Sequence, residues 1–550
     1  MALLRFLTRS HSFSNDLFLI LLFILSVEAH DFNRDQCLRD TRWALGNQTI
    51  SPNDPIFFIG DDGRPMSNLE NPVLTLAGCR KLCGSHQGWY SDTGPRLNAW
   101  LIPIFLLVSN MEVSPLDKRR YFMSITHLLG DPIDTVWSLL LKVEVWRRCA
   151  LRSIRPRRST RRVRNRATVL AAIEEILDPD VDPVALFNTL VADTRLSHEA
   201  LDRLIGRTAW ELADSRTDEL VRTVFAAFLY LYQVLSAFIA TLGGGNTSPP
   251  GGRIGTAMFM SWLVPVILLS NAIGGFASRR TCFSILDRFA HDVVLDRPAH
   301  DVVLDRPAHD VALDRPPRNV APSGDLLSSL KSHSPQSDRY DSIKLFFDAQ
   351  SWAGGIYSYR LRKDTIFTSG LNDRSMFSLL LLAASPLIVS TIIASLILWD
   401  TPPVGINCRN VLIFSLASTW FLSFLVTWSC SHSFIRSRVQ ESTIWRCILA
   451  KNAVIAIVSV LLIFLSSCGI FNSCWCWSAP YSLGSSRHVA LNPVPFLDYN
   501  YKTVYPALVG VCLGLQILIF SVMIWSGWDG LKLMRWSEEA RRSEWEHSRS

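Results

Sequence analysis

Long uninterrupted apolar runs, separated by stretches dense in charge, set the pattern of this chain. Seven runs reach or approach the roughly 20 residues that a helix needs to cross about 30 Å of hydrocarbon. They are 97–113, 221–242, 256–276, 376–399, 411–430, 453–471 and 504–525, the first being short and ending in Asn110 and Glu112. An eighth run, LFLILLFILSV at 17–27, follows Arg5 and Arg9 and gives way to small residues ending at Ala29. That is the layout of a secretory signal peptide, so residues 1–29 stand apart from the fold. The pattern predicts an all-α membrane protein: a bundle of seven transmembrane helices with a cleaved leader and a helical cytoplasmic loop.

The charged stretches give the bundle a direction. If the leader is removed, the segments 114–220, 278–375, 431–451 and 526–550 fall inside, and together they hold 41 of the 55 Lys and Arg residues. The segments 30–96, 243–255, 399–410 and 472–503 fall outside and hold 11. Basic residues close to the spans weigh most, and Lys118, Arg119, Arg120, Arg279, Arg280, Arg436 and Arg438 each follow an inward-running helix. The N-terminus is therefore expected outside and the C-terminus inside. The Asn-x-Ser/Thr sequons at Asn47 and Asn246 also fall outside; Asn246 lies too near the membrane, which leaves Asn47 as the candidate for N-glycosylation.

One apolar cassette occurs twice. Trp100, Pro103, Ser109 and Asn110 recur as Trp262, Pro265, Ser270 and Asn271, and each copy is followed by a basic pair and a Phe. Both copies belong to spans that run in the same direction. In each, the proline would free the carbonyl four residues earlier, a kink tolerated in a membrane only where a neighbour satisfies that group. The Ser-Asn pair can hydrogen-bond across helices. The cassette thus reads as helix-packing machinery used in parallel, with convergence of apolar sequence as the competing explanation.

Between the spans, GDPIDTVWSLLLKVEVWRRC starts a helix with Asp131 as N-cap and Pro132 in the first turn. Its apolar positions, Ile133, Val136, Trp137 and Leu140, fall on one face, predicting a helix that lies on the inner membrane surface. Ten arginines without an acid between Arg147 and Arg166 follow it. Behind a span such a run is suited to anionic lipid headgroups rather than to nucleic acid. Helical stretches from Thr168 to Glu219, broken at DPDVDP, predict a small helical subdomain on the same side. Residues 287–322 carry a nine-residue tandem repeat that sets His291, His300 and His309 beside Asp292, Asp301 and Asp310. A proline in each unit after the first and the lack of an aromatic anchor read as a disordered tract rather than a metal site.

Of 12 cysteines, seven fall outside or at the outer surface: Cys37, Cys79, Cys83, Cys408, Cys468, Cys474 and Cys476. Disulfides are the default use there, with Cys79 and Cys83 a possible local pair and the remaining connectivity open.

The composition, 49% hydrophobic and 19% charged, fits a core solvated by lipid. No P-loop, GxSxG, HExxH or dinucleotide fingerprint occurs. From Thr223 to Leu242 and through the five later spans there is no Asp, Glu, Lys, Arg or His, the groups that proton relays and voltage sensors need. The polar residues available there, Tyr230, Tyr232, Gln233, Asn271, Ser385, Ser390, Thr391 and Gln516, with the small-residue motif from Gly510 to Gly514, are of the kind that packs helices. No catalytic, cofactor or metal residue is assigned.

GWYSDTGPRLNAWLIPIFLLVSNMEVSPLDKRRYF, HLLGDPIDTVWSLLLKVEVW and SPPGGRIGTAMFMSWLVPVILLSNAIGGF resemble a group of uncharacterised multi-pass membrane proteins of filamentous fungi, over residues 76–283 and in the general span pattern. The tandem repeat departs from that group. The resemblance implies a membrane fold and transfers no activity. The expected protein is a non-enzymatic multi-pass protein of the plasma membrane or an endomembrane, touching the lipid bilayer and no nucleic acid. A channel or uniporter for a neutral solute, lined by Tyr230, Gln233 or Gln516, is one alternative, and a seven-span receptor-like protein is the other.

Overall fold

The computed structural model describes residues 34–51, 53, 54, 56–58, 72–84, 104, 108, 118–153, 160–176, 183–192, 196–215, 220–236, 238, 250–273, 279–294, 373–401, 404–431, 441–469, 473–478, 488–491 and 499–534. These are mostly helical. In chain order the helices are α1 (Arg34–Gly46), α2 (Leu76–Cys83), α3 (Lys118–Gly130), α4 (Pro132–Ser153), α5 (Thr160–Ile176), α6 (Pro183–Ala192), α7 (His198–Asp214), α8 (Leu220–Ser236), α9 (Pro250–Phe259), α10 (Leu263–Ile273), α11 (Arg279–Val294), α12 (Asp373–Trp399), α13 (Cys408–Ser431), α14 (Glu441–Cys468), α15 (Cys474–Trp477), α16 (Tyr505–Ser526) and α17 (Trp528–Met534). One small antiparallel pair, β1 (Val73–Thr75) with β2 (His488–Ala490), modifies the all-α expectation.

Among the described residues, five helical segments are long and apolar enough to cross a membrane: Gly251–Ile273, Phe377–Trp399, Cys408–Cys430, Arg446–Cys468 and Asn500–Ser526. They correspond to the last five of the seven expected spans. The first expected span, 97–113, lies outside the described residues except for Ile104 and Val108, and with it lie Trp100, Pro103 and Asn110. The second begins as α8, described over 17 residues. Outward-facing side chains bear on the solvent of these helices. Phe225 and Phe228 on α8, Phe377 and Ile392 on α12, Phe421 and Leu422 on α13, Val454 on α14 and Ile517 on α16 are all about half exposed or more. Apolar exposure repeated on helix after helix is foreign to a water-soluble surface and natural to one facing lipid.

The helix expected to lie on the membrane surface is instead central. From Asp131 to Trp146 of α4 every residue is buried, polar ones included, because α4 is flanked by α3, α5, α12, α13 and α17. Glu144 is matched by a two-pronged ion pair to Arg147, with both contacts at 2.7 Å. The apolar face seen in the sequence is real, but neighbouring helices cover the other faces too. Helices follow it, and they share its core: α5 packs on α4 and α7, and α7 on α11. Within the arginine run, Arg166 donates to Asn188 and its guanidinium lies 5.0 Å from the Phe187 ring centre. Of the repeat tract only the leading part, inside α11, is described; His300 and His309 lie outside.

Pro386 sits inside α12 and deprives Leu382 O of its helical partner, and the Ser385 hydroxyl donates to that carbonyl at 2.9 Å. The segment Gly251–Ile273 changes from α9 to α10 through a 3-10 turn, Met260–Trp262, immediately before Pro265. Trp262 is 1% exposed and meets the Trp420 ring edge-on. Asn271 donates within its own helix, to Ile267 O. Gly510 and Gly514, the small-residue motif, face outward with nothing within 4 Å of where a Cβ would stand.

Candidate functional site

Two features organise the molecule: a cross-linked cap at one end of the bundle and a buried ionic network at the other end of α13. The cap gathers α1, α2, α15 and both strands around Phe58, Leu74, Trp477 and Val489. Disulfides join Cys37 to Cys83, Cys79 to Cys474 and Cys408 to Cys476. The local Cys79–Cys83 pair is therefore corrected: the two share α2, but each bonds to a different element. All six bonded cysteines belong to the seven read from the sequence as outer; the seventh, Cys468, is a buried free thiol. Asn47, just beyond α1, is exposed, whereas Asn246 lies outside the described residues.

The network is built where α3 turns into α4. The Asp131 N–H donates to His127 O and so ends α3, while the Asp131 carboxylate starts α4: its Oδ1 accepts the Asp134 N–H at 3.2 Å. The second oxygen, Oδ2, accepts the Thr427 hydroxyl at 2.6 Å and the Lys451 ammonium at 3.1 Å. Lys451 also donates to Ser423 Oγ at 2.6 Å, Thr427 Oγ1 at 2.6 Å and Ser423 O at 2.7 Å. The Ser423 hydroxyl donates in turn to Gly130 O at 2.8 Å. Every donor thus has an acceptor, and three helices, α4, α13 and α14, meet on one carboxylate oxygen and one ammonium.

A second pair stands beside the first. His127 Nε2 lies 3.0 Å from Asp134 Oδ2, both side chains being buried, and the Asn452 side chain lies 2.6 Å from His127 Nδ1. Close approach of α3 and α14 makes this possible: a methyl group at Gly130 would overlap the Asn452 main chain. Burial, and after it the Asp134 carboxylate, push the Asp131 carboxyl up from the usual range; His127, Lys451 and the Thr427 hydroxyl hold it down. A buried carboxylate of this kind is stable only while its cation and donors stay in place.

Of these residues the sequence singled out only Asp131, as an N-cap. Lys451 lies two residues before the expected span and so escaped a search for charges inside the spans. A usable signal existed in the spacing: His127, Asp131 and Asp134 recur at helical intervals through the Gly-Asp-Pro corner, as do Ser423 and Thr427.

Two of the three residues expected to line a channel bond to main-chain carbonyls of neighbouring helices. The Tyr230 hydroxyl donates to Ala257 O at 2.7 Å, and Gln516 Nε2 to Pro386 O at 2.9 Å. The Gln233 side chain lies outside the described residues. Among the described residues, no group of three or more His, Cys, Asp or Glu side chains could hold a metal ion. Compared with models of known protein families, with curated proteins and with solved structures, the chain matches none.

Proposed function

We propose that this chain is an integral membrane protein of the plasma membrane or an endomembrane that passes conformational change from an outer cap to an inner ionic clasp, in the manner of a receptor and without catalysis. The membrane is crossed seven times, after removal of a leader, with the N-terminus outside. Basic residues flanking the inner ends and disulfides drawn only from segments read as outer support that orientation. Anionic headgroups would bind the arginine run on the inner side.

One observation carries the reading. Helix α13 is bonded to the cap through Cys408 at its first residue and to the network through Ser423 and Thr427. At 1.5 Å per residue these points are about 22 to 28 Å apart, most of a bilayer's apolar thickness. A rigid rod fixed at both ends transmits a shift at one end to the other. Hydrogen bonds from Tyr230 to Ala257 O and from Gln516 to Pro386 O support a packing role for these two side chains.

Cys430, a free thiol three residues beyond Thr427 on α13, is a reporter already in place. Replacing Cys408 and Cys476 together by Ser should change the rate at which a membrane-permeant maleimide labels Cys430 by severalfold, read by peptide mapping with the exposed Cys447 as internal control. An unchanged ratio of the two rates would sink the relay.

A further inference from the structure

The free thiols of the chain are unevenly placed. Cys149, Cys282, Cys468 and Cys512 are buried, whereas Cys430 is partly exposed and Cys447 exposed. These two are the last residue of one span, Cys408–Cys430, and the second residue of the next, Arg446–Cys468. Helix register puts them at one depth. Lys451 Nζ meets Thr427 Oγ1 at 2.6 Å across α13 and α14, and because the helices are antiparallel, Cys430, three residues after Thr427, and Cys447, four residues before Lys451, lie in the same direction from that contact. Both thiols therefore stand about one turn beyond the ionic network, at the end of the spans opposite the cap. Apolar, outward-facing side chains adjoin them. From Cys447 an exposed stripe follows α14 through Ala450, Val454, Val458 and Leu461. At 1.5 Å per residue it covers about 21 Å, more than the roughly 15 Å of hydrocarbon in one leaflet. Near the end of α13, Leu422, Val426 and Trp428 are about half exposed.

A pair of accessible thiols at the ends of consecutive spans, beside a lipid-facing apolar track, is placed for one covalent modification, a long-chain acyl thioester. We propose that Cys447 is S-acylated on the inner side of the membrane, with Cys430 as a second acceptor. The cysteine thiolate attacks the thioester carbonyl of a fatty acyl-coenzyme A, the carbon–sulfur bond to coenzyme A breaks, and coenzyme A leaves as a thiolate that takes up the proton. One thioester replaces another, so the step needs no oxidant or reductant. Arg446, exposed beside Cys447, offers a cation to the phosphates of coenzyme A. The transferred chain lies along Val454, Val458 and Leu461 and holds the inner ends of α13 and α14 in the leaflet, next to the pair formed by Lys451 and Asp131. The proposal rests on the orientation given under the proposed function, because acyl-coenzyme A is supplied on the inner side, and not on the relay.

The test uses the full-length protein expressed in cells fed an alkynyl palmitate, purified, coupled to a fluorophore and then treated with hydroxylamine, which cleaves thioesters. The wild type should carry label that hydroxylamine removes. Cys447→Ser should lower that label severalfold, and the double variant Cys430→Ser with Cys447→Ser should lose it, with an unchanged unfolding temperature showing that the fold is intact. Peptide mapping of the wild type, by biotin exchange at the thiols that hydroxylamine frees, should find Cys447 and Cys430 and gives the same answer without a variant. Absence of label from the wild type, label retained in the double variant, or mapping to any other cysteine would overturn the site. The Asn47 glycan, read in the same sample, separates the two readings: unlabelled protein that carries the glycan overturns acylation alone, and unlabelled protein without it overturns the orientation as well. Hydroxylamine also returns Cys430 to the free thiol for the maleimide measurement, so the relay can fail while acylation stands, and acylation can fail while the relay stands.

Discussion

Lys451 and Asp131, 320 positions apart in the chain, meet at 3.1 Å in the interior, with the aspartate side chain fully enclosed and the lysine side chain 17% exposed. Each is the other's charge partner, and the hydroxyls of Ser423 and Thr427 complete both shells. The energetics of such a pair are asymmetric: breaking it costs far more than never having built it.

Removing one partner should therefore be worse than removing both. Lys451→Met leaves the Asp131 carboxylate uncompensated, and a loss of about 3 to 5 kcal/mol is expected, read as a lowered unfolding temperature in detergent. Combining Lys451→Met with Asp131→Asn should recover a substantial part of that loss. A double variant as unstable as the sum of the singles would show that the two residues are not coupled.

The crossing of α3 and α14 depends on a missing side chain. Gly130→Ala should force the helices apart at Asn452 and destabilise the protein by about 1 to 3 kcal/mol, the usual cost of overpacking. The His127 to Asn452 contact should loosen with it. Gly510→Ala, at a position open on the outside of α16, should be close to neutral, and a similar penalty at both sites would refute the close crossing.

Non-reducing peptide mapping should recover Cys37 with Cys83, Cys79 with Cys474 and Cys408 with Cys476. In Cys79→Ser the newly free thiol should be Cys474. Finding it at Cys83 would restore the local pair and undo the cap.

If the cap faces outward, Asn47 should carry a glycan, since it is exposed and its sequon continues through Thr49. Enzymatic deglycosylation should shift the mobility of the wild type and leave Asn47→Gln unchanged. A protein glycosylated only at a site engineered near Ser159 would reverse the orientation.

Much of the architecture was legible because hydropathy and capping are local. A run of some 20 apolar residues declares a span wherever it occurs, and the last five expected spans overlap the observed helices, with ends differing by at most seven residues. Asp131 before Pro132 announced a helix start, and the six bonded cysteines all belong to the seven grouped as outer, from which only packing excluded Cys468. What remained hidden depends on which segments become neighbours. One apolar stripe on α4 indicated a surface helix, yet polar faces can be buried too when partners are supplied, as Arg147 serves Glu144. Cys79 and Cys83 share a helix and still bond apart. Lys451 looked like a flanking charge until α14 brought it to a carboxylate from the other half of the chain. Sequence fixes what each segment requires of its surroundings; only packing, which joins residues hundreds of positions apart, decides which partner meets the requirement.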